Sequence, residues 1–156
     1  MKRRWLLLFP FAALVFGAFW LDASANRQTK YLGLPPTPCI DPTRPLRQDF
    51  AFTVRISIDG RPRALDAGIG HDHGNCLHVL HTDDASGLVR LQANDDDSYT
   101  LGDFFNTWHW PFSARLLLGY ELEAGQRIQV KVNGAQVETF DQTVLAPGQM
   151  IEIEER

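Results

Sequence analysis

From Phe50 onward the chain alternates. Phe52, Val54, Ile56 and Ile58 are apolar and Thr53, Arg55, Ser57 and Asp59 polar, the period-two pattern of a strand buried on one face. Asp59-Gly60 is a hairpin turn signal, and Arg61 to Ile69 is the predicted returning strand, with Pro62 placing it at a sheet edge. After the loop Gly70-His71-Asp72-His73-Gly74-Asn75, the apolar stretch Cys76 to Thr82 reads as a third strand. Asp83 to Gly87 is a turn and Leu88 to Gln92 a further short strand. Toward the C-terminus Ile128, Val130 and Val132 alternate with Gln129, Lys131 and Asn133. Asn133-Gly134 is the best two-residue turn in the chain. Beyond Pro147-Gly148, Ile151 and Ile153 alternate with Glu152 and Glu154.

One segment has the other period. Thr100-Leu101-Gly102-Asp103 has the form of a helix N-terminal capping box, and Leu101, Phe104, Phe105 and Trp108 fall on one helical face. Pro111 limits this helix to about two turns, and its aromatic stripe is predicted to be core. Two hairpins flanking one short helix predict an α+β domain over residues 50–156, a β-grasp-like mixed sheet. The run Val130-Lys131-Val132-Asn133-Gly134, continued by Leu145-Ala146-Pro147-Gly148-Gln149-Met150-Ile151-Glu152-Ile153, resembles the end of small sulfur-carrier, ubiquitin-like domains. Their chemistry needs a C-terminal Gly-Gly. This chain ends Glu154-Glu155-Arg156, so the resemblance concerns fold alone.

The N-terminus has a different character. Lys2, Arg3 and Arg4 precede an apolar run from Trp5 to Leu21, and Ala23-Ser24-Ala25 follows, together the pattern of a secretory signal peptide. The run 5–21 is slightly short for a membrane span, yet bulky and aromatic, so a retained anchor is the alternative to cleavage after Ala25. The expected localisation is extracytoplasmic, periplasmic or secreted, with an inner-membrane anchor if residues 1–25 stay. Residues 26–49 read as a proline-rich tether, because Pro35, Pro36, Pro38, Pro42 and Pro45 forbid helix and central strand. Such a segment holds a domain off a membrane or lies across its surface.

Composition narrows the partners. The 156 residues carry 15 basic and 19 acidic side chains, with no basic stretch after residue 4, so nucleic acid is not an expected partner. Cys39 and Cys76 are the two cysteines, and in an oxidising compartment two lone cysteines pair. The bridge would close a loop of about 37 residues and contribute about 3–4 kcal/mol on the chain-entropy argument. Reactive thiols and a copper–thiolate pair are the alternatives. His71, His73, His78 and His81 crowd with Asp72, Asp83 and Asp84 into 14 residues, a donor set that suits copper or zinc. Against a shared ion, a regular strand over 77–82 would point His78 and His81 to opposite faces. Ser86 lacks a Gly-x-Ser-x-Gly context, and Asp95-Asp96-Asp97 lacks the alternating spacing of a calcium loop. His109, between Trp108 and Trp110, either lines a pocket or ends the helix.

Three stretches resemble a family of exported bacterial proteins of unsettled function. They are Ala67-Gly68-Ile69-Gly70, then Cys76-Leu77-His78-Val79-Leu80-His81-Thr82-Asp83-Asp84-Ala85-Ser86-Gly87, then Thr100-Leu101-Gly102-Asp103-Phe104-Phe105-x-x-Trp108. The family's middle motif reads Leu-His-Thr-His-Asp-x-Ser-Gly, and its two cysteines match Cys39 and Cys76. Relatives carry a His-x-His where this chain has Phe50-Ala51-Phe52-Thr53, and a histidine where it has Asp83, so part of that histidine set is missing here. The resemblance implies export and lends no reaction. The expected function is a non-enzymatic, exported or membrane-tethered binding module, taking copper or zinc through His71, His73, His78 and His81. The alternative is an accessory subunit docking to a membrane protein complex, and an enzyme with a pocket near His78, His81 and His109 ranks third. Mass spectrometry of protein recovered from an exporting host separates the first two: the free module lacks residues 1–25, and the tethered subunit retains them.

Overall fold

The computed structural model describes residues 35–156 apart from His73 and Asn75, so the signal or anchor segment, and the tether up to residue 34, lie outside the described residues. The described part is mixed α+β, mostly sheet with one short helix. Eleven strands follow in chain order: β1 Gln48–Ile58, β2 Arg61–Arg63, β3 His71–Asp72, β4 Cys76–Leu77, β5 Leu80–His81, β6 Leu88–Ala93, then, after helix α1 Leu101–Thr107, β7 Leu116–Leu117, β8 Tyr120–Glu121, β9 Ile128–Val132, β10 Ala135–Val137 and, after a 3₁₀ turn Phe140–Gln142, β11 Met150–Glu155. Among these described residues no helix is long and apolar enough to cross a membrane.

The main sheet runs β10-β9-β11-β1-β6-β5, with β2 added to the end of β1. Strand β1 pairs parallel with β11 and antiparallel with β6, and β11 pairs antiparallel with β9. The registers put like with like: Phe52 opposite Val89, Val54 opposite Ile151, Ile56 opposite Ile153, and Ile153 opposite Val130. All seven of these side chains are buried. The intervening positions of β1, including Thr53, Arg55 and Ser57, take the other face, as the alternation requires.

Helix α1 lies on the apolar face. Thr100 caps it: its hydroxyl accepts from the Asp103 amide, and the Asp103 carboxylate accepts from the Thr100 amide at 2.8 Å, the predicted capping box. Leu101, Phe104 and Phe105 are buried. Phe104 meets Phe52 edge to face with centroids 6.4 Å apart, and Phe105 stacks on Phe112 at 4.7 Å. Trp108 forms the C-cap, is buried, and donates its indole N–H to the Asp66 carboxylate at 2.8 Å. The next residue, His109, turns left-handed at φ 62°, so the helix ends before Pro111 is reached.

Two strand expectations need correction. Of the predicted return strand Arg61 to Ile69, Arg61–Arg63 alone pairs with β1, and the principal antiparallel neighbour of β1 is β6. Proline at position 62 supplies no amide to the ladder, and the chain then leaves the sheet to bury Leu65 and Ile69. The stretch Cys76 to Thr82 is not one regular strand either. It breaks at Val79 into β4, a bridge at His78, and β5, each with a different partner. Both hairpin turns hold: Asp59 and Gly60 have φ 50° and 70°, and Asn133 and Gly134 have φ 53° and 82°.

Trp108 carries the test of this core. Trp108→Ala is expected to cost about 3–5 kcal/mol in denaturant unfolding, the range for a large aromatic removed from a packed site. Trp108→Phe, which keeps a ring and loses the bond to Asp66, is expected to lie well below that range.

Candidate functional site

The residues singled out by the histidine and cysteine pattern meet where the proline-rich segment crosses the domain. Residues 38–40 run antiparallel to residues 77–79: the Val79 amide donates to Pro38 O at 3.0 Å, the Ile40 amide donates to Leu77 O at 2.8 Å, and Cys39 faces His78 in the bridge between them. Side chains secure both ends of this strap. Buried Thr37 binds Thr107 at the end of α1, through its amide at 3.1 Å and its hydroxyl at 3.0 Å. Asn94 accepts from the Asp41 amide at 2.7 Å and donates to the carbonyls of Asp41, Arg44 and Pro45. Cys39 and Cys76 are joined in a disulfide with Cα atoms 5.3 Å apart, as the pairing argument predicts.

The three described members of the predicted ligand set fall into two groups. His73 lies outside the described residues. His78 faces the disulfide: its Nε2 is 3.6 Å from Cys76 Sγ and 3.0 Å from Asp72 Oδ2, while its Nδ1 meets the carbonyl of Thr37. The carbonyl only accepts, so Nδ1 donates to it, and Nε2 and the Asp72 carboxylate share one proton between them. His81 belongs to a second group. Its Nδ1 donates to the His78 carbonyl at 3.0 Å, and its ring packs edge to face against His71 with centroids 5.8 Å apart. Asp83 completes that group, with one carboxylate oxygen 4.0 Å from His71 Nε2 and the other accepting from Arg90 Nε at 3.0 Å.

Gly70 makes the second group possible. It has φ 77°, and a side-chain Cβ there would run into the Leu80 carbonyl and lie 3.0 Å from His81 Cβ. Without a side chain its backbone presses onto β5, its carbonyl accepts from the His78 amide at 2.8 Å, and His71 is delivered onto His81. Gly74, by contrast, has open space around it.

Among the described residues, Cys39, Cys76 and His78 form the one group of three or more histidine, cysteine or acidic side chains whose ligand atoms all lie within 4.8 Å of one another. Such a group can hold a metal ion, but with the sulfurs bonded to each other it has no thiolates to offer. Sequence reasoning set the cysteines and histidines apart and missed this cluster. The signal was there in Cys76-x-His78: positions two apart in extended chain share a face. Other candidates are turn residues. The Asp84 carboxylate accepts from the Ser86 side chain and amide, which holds its pKa below the usual range, and Ser86 Oγ accepts from the Leu88 amide. Tyr99 donates to Asp95, and burial, then that bond, raise its pKa. His109 is exposed. A separate depression of about 420 Å³ is lined by Ile58, Leu117, Tyr120 and Leu122 with Asp59, Glu121, Glu123 and Glu155, and contains no histidine or cysteine.

Compared with protein-family models, with curated proteins and with solved structures, the chain matches none of them.

His81 gives a pH signature. Burial disfavours its charged form and lowers its pKa from 6.5, outweighing the opposing pull of the His78 carbonyl and Asp83; His71 and Arg90 push the same way as burial. The unfolded chain takes up this proton first. The stability from the neutral ring is therefore present above about pH 6.5 and is lost as the pH falls through the folded value. His81→Asn keeps a donor for the His78 carbonyl and does not titrate. Denaturant midpoints measured from pH 8 to pH 5 should fall more steeply for the wild type than for this variant.

Proposed function

We propose that the chain is an exported, non-enzymatic binding module that takes a divalent transition metal ion, copper or zinc, through His71 and His81. The contact between these two rings carries the reading. His81 is neutral near pH 7, and donation from its Nδ1 to the His78 carbonyl fixes the tautomer that leaves Nε2 as the ligand nitrogen. His71 is half exposed and can swing its ring onto the same ion, with Asp83 as a nearby carboxylate. His73, two residues from His71, is the natural further ligand.

The scaffold reading is a β-grasp variant. A first and a last strand paired in parallel at the centre, a hairpin on the far side of the last strand and one helix before that hairpin all support it. The insertion between β1 and β6 then carries every described residue of the histidine segment. The signal-like N-terminus supports export, and a disulfide is the form cysteines take in an oxidising compartment.

Calorimetric titration of the oxidised protein with copper(II) and with zinc(II) tests the metal reading. Saturable binding tighter than about 10 µM, roughly 7 kcal/mol, is expected for at least one ion, and His71→Ala and His81→Asn should each weaken it. Equal heats from the wild type and both variants would refute the assignment.

A further inference from the structure

The cluster at Cys39, Cys76 and His78 is arranged differently and carries an inference of its own. Three donors surround one point, the sulfurs of Cys39 and Cys76 and Nε2 of His78, and the Asp72 carboxylate lies beside them, 3.0 Å from that nitrogen. His78 is buried and its outer nitrogen is tied to the Thr37 carbonyl, the second contact that a metal-bound histidine characteristically makes. What removes this set from metal chemistry is the single bond between the sulfurs. We propose that reduction of the Cys39–Cys76 disulfide converts the cluster into a tetrahedral zinc site with the ligands Cys39, Cys76, His78 and Asp72.

The ligands do not depend on the disulfide for their positions. Cys39 stays beside His78 through the two backbone hydrogen bonds of the strap, and the strap stays on the domain through Thr37–Thr107 and Asp41–Asn94. Asp72 faces Cys76 across the β3–β4 pair. Breaking the S–S bond therefore frees two thiols that remain neighbours. Side-chain rotation then has to open the sulfurs to about 3.8 Å, the edge of a tetrahedron with zinc–sulfur bonds near 2.3 Å, and to bring the Asp72 carboxylate to the same distance from them. Cys39 is exposed, so a reductant can reach the bond.

The chemistry balances with a dithiol as the reductant. One of its thiolates attacks a sulfur of the bridge, its second thiol resolves the mixed disulfide, and it leaves as its own disulfide. Its two electrons and two protons pass to Cys39 and Cys76. Zinc(II) then displaces a proton from each sulfur and the proton shared between Nε2 and Asp72, and three protons go to solvent. Reoxidation returns the electrons to a disulfide oxidant and expels the ion. This site is independent of the one at His71 and His81, since it requires reduced protein and uses neither residue.

Cobalt(II) substitution reads it directly. The full exported protein is reduced with a phosphine, freed of reductant without air, and titrated with cobalt(II) and then zinc(II); oxidised protein is treated in parallel. The reduced form is expected to bind one equivalent with the thiolate-to-cobalt charge-transfer absorption and ligand-field bands of a tetrahedral ion, which zinc then bleaches. The oxidised form should show neither. Cys39→Ser and His78→Gln should abolish the spectrum, and Asp72→Asn should weaken affinity about 10–100-fold. His71→Ala should leave the spectrum unchanged even if it abolishes calorimetric binding by the oxidised protein, so the two readings fail separately. Near-UV circular dichroism of reduced wild type and of Cys39→Ala/Cys76→Ala reports whether the fold survives without the bridge. No charge-transfer band, a band indifferent to His78, or loss of the near-UV spectrum on reduction would each overturn the proposal.

Discussion

One helix of seven residues has to cover the apolar face of a seven-stranded sheet. At 1.5 Å per residue it is about 10 Å long, the width of little more than two strands. Irregular chain must cover the rest, and irregular chain brings backbone groups that no ladder satisfies. The buried polar side chains answer that need. Thr82 accepts from the Ile69 amide and donates to the Asp66 carbonyl, Asn94 binds four backbone groups of the strap, and Thr37 and Thr107 close it onto the helix. Among the described residues no buried side-chain nitrogen or oxygen is left without a hydrogen-bond partner.

The histidines belong to the same cover. Each of the two buried rings spends one nitrogen on a backbone carbonyl, His78 on Thr37 and His81 on His78. That contact serves the fold and at the same time engages one nitrogen of each ring, leaving the other as the ligand nitrogen. Structural and ligand roles are thus compatible in one side chain, and donor density on this segment is high while the described rings sit in two groups. The strap has a parallel double use. It pairs with residues 77–79 beside β5 and carries Cys39 to the point where His78 and Cys76 already meet.

The amino-acid sequence by itself determined what depends on neighbours a few residues away. The alternation through Phe52, Val54 and Ile56, the turns Asp59-Gly60 and Asn133-Gly134, the Thr100–Asp103 capping box and the buried aromatic stripe of α1 are local, because strand pleat, turn φ and helix period are set by adjacent residues. The cysteine pairing was equally legible, since two cysteines leave one partner each. Strand partners were not. Which chain lies against β1 depends on apolar rows matching at long range, and β6 and β11 offer Val89, Leu91, Ile151 and Ile153, where the segment after Asp59-Gly60 offers Arg61, Pro62 and Arg63. Nor was the division of the histidines. A period-two reading of residues 77–82 presumes one strand, whereas the strap claims residues 77–79 and β6 claims Leu80 and His81, so the chain bends at Val79. Only the tertiary structure decided that His78 would face a disulfide and His81 would face His71, because the bend is imposed by two different partners, residues 90–91 across the adjacent turn and residues 38–40 far away in the chain.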